Sequence, residues 1–85
     1  AQVRDLYEDS RRLLTDVRET LRFIEHDYPS LKGLPDAKKS LRDATTTHNR
    51  AYGLMQREKY GEAVVAFRMA QDVIDQCDLC GGIAP

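Results

Sequence analysis

Apolar positions recur at alternating spacings of three and four through three stretches of the chain, the period of an α-helix with one buried stripe. In the first stretch Val3, Tyr7, Ser10, Leu14, Val17, Leu21, Ile24 and Tyr28 keep this rhythm through nearly four heptads, and Leu6 and Leu13 broaden it. A stripe this wide belongs to a helix packed in a bundle. The spacing predicts a helix over about 3–28, on the order of 39 Å long at 1.5 Å per residue. Its other face is charged, with Arg4–Glu8 and Glu8–Arg12 at ion-pair spacing. Pro29 ends the helix, because the residue before a proline is pushed out of the α region.

After the linker Pro29-Ser-Leu-Lys-Gly-Leu34, Pro35 opens a second helix, expected over about 35–58. Its stripe is Ala37, Leu41, Ala44, His48, Ala51 or Tyr52, and Met55. The small residues imply close packing against neighbours. Gly53 weakens the helix, and a close backbone contact there is the expected reason. A short link, Lys59-Tyr60-Gly61, leads to the third and most apolar helix, expected over about 61–80, with Ala63, Phe67, Ala70, Ile74 and Cys77 in register and Ala66 and Val73 beside them. Gly81-Gly82 supplies its left-handed cap and Ile83-Ala84-Pro85 the tail. Short links fold successive helices back on one another. The fold class is therefore all-α: a single domain, 1–85, forming an antiparallel three-helix bundle.

Composition narrows the class further. Eighty-five residues at 41% hydrophobic and 32% charged suit one modest core and are too apolar for disorder. No stretch approaches the roughly 18 apolar residues of a bilayer-crossing helix, so no membrane insertion is expected. A formal net charge of -1, with basic and acidic residues intermixed, removes the electrostatic case for nucleic acid. The chain opens Ala1-Gln2 without Met, which fits a cut chain or a processed one, and the reading leans toward an exported, periplasmic bacterial protein.

Tyr60, Ala63, Phe67 and Ala70, at offsets of three, four and three, resemble the second-helix half of a tetratricopeptide repeat. The resemblance covers residues 44–77, and it implies a hairpin in which small residues let helices approach while an aromatic fills the gap. The first half departs from the pattern: Thr47 stands in place of Trp, Arg50-Ala51 of Leu-Gly, Leu54 of Tyr and Asp75 of Pro. A looser similarity links the alanine-spaced helices to small bacterial envelope proteins. Neither likeness carries catalytic residues.

The candidate chemistry is Cys77-Asp78-Leu79-Cys80-Gly81. Cys-x-x-Cys-Gly is half of a zinc knuckle and supplies two of four ligands. The others would come from a second copy, or from His26 or His48. Against the metal stands a buried Cys77 with Cys80 free or bridged, to Cys77 or to another chain. A thioredoxin-type role is disfavoured by the C-terminal position, where the helix dipole opposes a thiolate, and haem attachment by Gly81 where a His is required. His48, on the buried stripe, reads as a core histidine. No catalytic grouping or phosphate loop is present, and the chain is read as no enzyme and as having no cofactor beyond a possible zinc.

Val64, Val65 and Met69 exceed what one stripe needs and leave apolar surface on a second face of the third helix, to be covered by the first helix or by another chain. The functional expectation is a non-catalytic interaction or scaffold module that binds a protein partner or itself through these residues. The alternative is a zinc-binding or redox-responsive dimer joined through Cys77 and Cys80.

Overall fold

A computed structural model describes residues 2–83. The chain forms α1 (Gln2–Asp27), α2 (Leu34–Gln56) and α3 (Tyr60–Asp75), then a 3₁₀ turn over Asp78–Gly81. Among the described residues there is no strand, and the expected all-α three-helix bundle is what the chain adopts. Ala1 and the expected tail residues Ala84 and Pro85 lie outside the described residues.

The bundle is a rod of 43 × 18 × 17 Å. Lys38 of α2 reaches Glu25 near the end of α1 at 2.7 Å, and His48 further along α2 meets Ser10 nearer its start, so the two helices run in opposite directions. α2 and α3 share the most extensive contact. Their seam is made of Ala44, Ala51, Ala63, Ala66 and Ala70, all buried. Side chains of one carbon let two backbones come close, and Phe67, fully enclosed, fills the space between that seam and α1.

Each helix end has a local cause. α1 stops at Asp27, two residues before Pro29. Gly33, at φ 92°, turns the chain into α2 in a conformation that a Cβ would strain. The link to α3 differs from the expected Lys59-Tyr60-Gly61: it is Arg57-Glu58-Lys59, and Tyr60 and Gly61 already belong to α3. Lys59 N donates to Leu54 O (2.9 Å) and Glu58 N to Met55 O (3.0 Å), the paired bonds of a Schellman cap. Glu58 holds the left-handed position at φ 64°, which glycine would occupy more cheaply.

Three local expectations are corrected. Gly53 makes no close helix contact: a Cβ there would meet only the Arg57 guanidinium, at 3.9 Å. On the charged face of α1, Glu8 pairs with Arg11 at 3.2 Å instead of with Arg4 or Arg12. Most consequentially, α3 ends at Asp75 and not near Cys80, and the left-handed glycine, Gly82 at φ 99°, closes the 3₁₀ turn and not α3.

The early end of α3 coincides with a covalent bond. Cys77 and Cys80 are joined by a disulfide across a Cα–Cα distance of 5.4 Å. Residues three apart on a regular α-helix hold their Cβ atoms about 5–6 Å apart, whereas a disulfide needs about 3.5–4.5 Å. The bond draws the two Cβ atoms closer than regular helix geometry holds them, and Cys77 adopts an extended conformation, φ −97° and ψ 110°. At about 24 Å, α3 is then much shorter than α1. The 3₁₀ turn fills the gap: Cys80 is buried in the cluster of Leu21, Ile24, Leu34 and Ala37, and Leu79 packs on it and lies 3.5 Å from the Cβ position of Gly33.

Two substitutions test this packing by chemical denaturation. Ala63→Leu forces three carbons into a closed seam and is expected to destabilise by about 1–3 kcal/mol. Gly53→Ala, in open space on α2, is expected to stabilise by about 0.5–1 kcal/mol; a loss of stability there would mean that α2 needs the glycine.

Candidate functional site

Three groupings carry what chemistry the molecule has. One lies inside the bundle, one at the foot of α3 and one on the outer face of the α2–α3 hairpin.

Inside, the stripes of α1 and α2 each contribute one polar residue at the same level. Ser10 Oγ and His48 Nδ1 lie 2.8 Å apart, with Ser10 1% and His48 7% exposed. Tyr7 stacks on the imidazole with ring centres 5.4 Å apart, Phe67 lies tilted against it at the same distance, and Tyr52 stands 5.1 Å beyond Tyr7. Burial disfavours the imidazolium, and the positive charge of Arg11 adds to the effect, so the pKa of His48 is held below its ordinary value of 6.5. The neutral ring can accept the Ser10 hydroxyl proton at Nδ1 or donate its own, and either way the pair satisfies both groups; no side-chain nitrogen or oxygen among the described residues is buried without a partner.

A serine beside a neutral histidine invites comparison with a nucleophile and its base. The surroundings do not support that chemistry: Ser10 is closed to solvent by the helices, and among the described residues no carboxylate is bonded to the imidazole to orient it. The contact instead fixes the register of α1 on α2. The sequence reading placed both residues on buried stripes but did not pair them. The available signal was that each stripe has a single polar member in mid-helix.

At the foot of α3, the disulfide uses both sulfurs of the expected metal pair, and no free cysteine is present. Metal ligation requires thiolates, which this state lacks, so Cys77 and Cys80 cannot act as zinc ligands while bridged. The other expected ligands are elsewhere: His48 is enclosed as described, and His26, 87% exposed, bonds Asp27 at 2.8 Å. Among the described residues no group of three or more His, Cys, Asp or Glu side chains is gathered as a metal site would need.

On the outer face the structure divides the three residues expected to bind a partner. Val65 and Met69, one turn apart on α3, are 59% and 48% exposed. With Leu54 and Ala66 they line a shallow apolar groove edged by Arg50 and Glu62. Val64 is half-buried on the other flank, facing α1 in a second groove with Val3, Tyr7, Tyr52, Met55 and Tyr60. Consecutive residues on a helix point about 100° apart, which is why Val64 and Val65 do not share a surface.

The molecule is thus an all-helical bundle with a buried polar pair, a disulfide-closed turn and an exposed apolar flank. No family model, characterised protein or solved structure matches the chain. Among the described residues, no helix is long and apolar enough to cross a membrane.

The buried histidine makes stability depend on pH with a definite sign. The unfolded chain takes up a proton on His48 near 6.5 and the folded chain only at lower pH, so acidification favours unfolding. The contribution is fully present above 6.5 and is lost as pH falls toward the folded value. Denaturation measured from about pH 7.5 to about pH 5.5, above most carboxylate titration, is expected to show stability falling, with a shallower slope in His48→Gln. Equal slopes would mean that His48 is as free to protonate folded as unfolded.

Proposed function

We propose that the chain is a non-catalytic interaction module that engages a protein partner, or a second copy of itself, through the outer face of the α2–α3 hairpin. The observation that carries this reading is the exposure of Val65 and Met69 together, beside Leu54, on a helix whose opposite side is already buried by alanines. Apolar surface kept in water costs roughly 25 cal/mol per Å², so contiguous exposed apolar residues rimmed by charge are a common mark of a contact site. The hairpin is of the tetratricopeptide type on this reading, with Ala63 and Ala70 in the seam and Phe67 as the filler. Arg50 and Glu62, neither of them in an ion pair among the described residues, stand at the margin and would set orientation more than affinity.

The competing reading, a zinc-bound or redox-linked dimer joined through Cys77 and Cys80, needs the internal disulfide opened before either sulfur is free.

Sedimentation of the chain over a wide concentration range, and titration of any copurifying partner, test the docking face. The double variant Val65→Lys/Met69→Lys is expected to weaken association at least tenfold, about 1.4 kcal/mol. Its folding stability should change by no more than about 0.5 kcal/mol per site, because both positions are exposed. Association of undiminished strength in the double variant would move the interface elsewhere.

A further inference from the structure

We propose that the Cys77–Cys80 disulfide is a reversible stop for α3, opened by a dithiol reductant, and that opening it lets the helix run on through Leu79. The inference is independent of the docking face.

The stripe of α3 does not end where the helix does. Cys77 continues the register of Ala63, Phe67, Ala70 and Ile74, yet the chain leaves the helix at Gln76. Nothing between Asp75 and Cys80 is a proline or glycine, and the first glycine is Gly81. The disulfide is the feature of this segment that works against a regular helix, since the Cβ separation it demands is shorter than the helix provides.

The stop also leaves backbone bonds unmade. In a continued helix the amides of Cys77, Asp78, Leu79 and Cys80 would each bond the carbonyl four residues back. Of these four amides two make bonds of the tighter kind instead, Cys77 N to Ile74 O at 3.0 Å and Cys80 N to Cys77 O at 3.3 Å. In exchange Leu79 and Cys80 join the core, Cys80 on the side of α1 and Leu79 against the start of α2. The segment therefore has two packings: a bent one that buries Leu79 and Cys80, and a helical one that keeps Cys77 on the stripe and withdraws Leu79 from Gly33. The covalent bond selects the first.

The bond is within reach of a reductant. Cys77 and Cys80 both line an open groove with Leu13, Val17, Ile74 and Gly81, and Cys77 is the more exposed of the pair, Cys80 being buried. One thiolate of the dithiol attacks Cys77 Sγ, forms a mixed disulfide and expels Cys80 as a thiolate, which takes a proton from water. The second thiol of the reagent, as its thiolate, then displaces Cys77, which leaves as a thiolate and is protonated in turn. The reagent departs as a disulfide, and its two electrons reside in the two protein thiols.

The test is the backbone conformation of residues 76–80 by 13Cα chemical shift, in the full chain as purified, after dithiothreitol, and in Cys77→Ser/Cys80→Ser. The expected result is helical shifts from Gln76 through Leu79 in the reduced and double-serine forms, with loss of the contact between Leu79 and Gly33. If the double variant fails to fold, the reduced wild type supplies the same readout. The proposal is overturned if the reduced chain keeps extended shifts at Cys77, if residues 76–80 lose order without becoming helical, or if excess dithiothreitol leaves the bond intact in the folded chain.

Discussion

The distance between α2 and α3 governs the rest of the molecule. Ala44, Ala51, Ala63, Ala66 and Ala70 are buried along one seam, and residues this small gain little from burial one by one, about 0.8 kcal/mol per buried carbon. Their value lies in what they admit. Two backbones that approach over several turns gain dispersion contacts along their whole length, and the cleft they present to α1 becomes narrow enough for Phe67 and Tyr7 to fill from opposite sides. A larger residue in the seam would part the hairpin and leave the aromatics without walls.

The polar pair within the bundle depends on that closeness. His48 packs against both Tyr7 and Phe67, which also touch each other, where an imidazole without a partner would lose its hydrogen bonds to water and cost about 1–3 kcal/mol. Ser10 compensates only if α1 lies at one register, so the pair penalises sliding where an apolar contact would tolerate it. Buried polar groups in helical assemblies are best attested in this role. The aromatic packing supplies most of the attraction, and the hydrogen bond makes it specific.

How much of this could be read from the chain depends on the range of the interaction involved. Helix existence was legible because a stripe such as Leu14, Val17, Leu21 and Ile24 repeats one local rule many times, and Pro29 marks the first boundary with a local steric clash. The hairpin link was expected at Lys59-Tyr60-Gly61, whereas the positive-φ position of the turn is held by Glu58, a residue with no local mark of that conformation. A glutamate tolerates it because the paired backbone bonds at Leu54 and Met55 hold the turn from both sides. The end of α3 was missed for a different reason: periodicity describes side-chain faces and is blind to a covalent link that forms only once two sulfurs meet. The division of Val64 from Val65 and Met69 was present in the pattern, since helical angles alone separate them, but hydrophobicity summed over a segment conceals it.

The two ends of α3 are consequently under different control. At the N-terminal end Ala63, Ala66 and Phe67 lock the rotation of the helix about its axis against α2 and α1, and this orientation exposes Val65 and Met69. At the C-terminal end the path of the chain is set by one covalent bond and by the packing of Leu79 and Cys80. Adding or removing a turn at that end does not rotate the residues before it, because a helix grows by repeating the same step and the seam has already fixed its phase. Met69 and Cys77 are eight residues apart, about 12 Å along the axis. The apolar flank can therefore keep its shape while the foot of the helix takes either of its two packings, and the alanine seam that closes the hairpin is what separates the two regions mechanically.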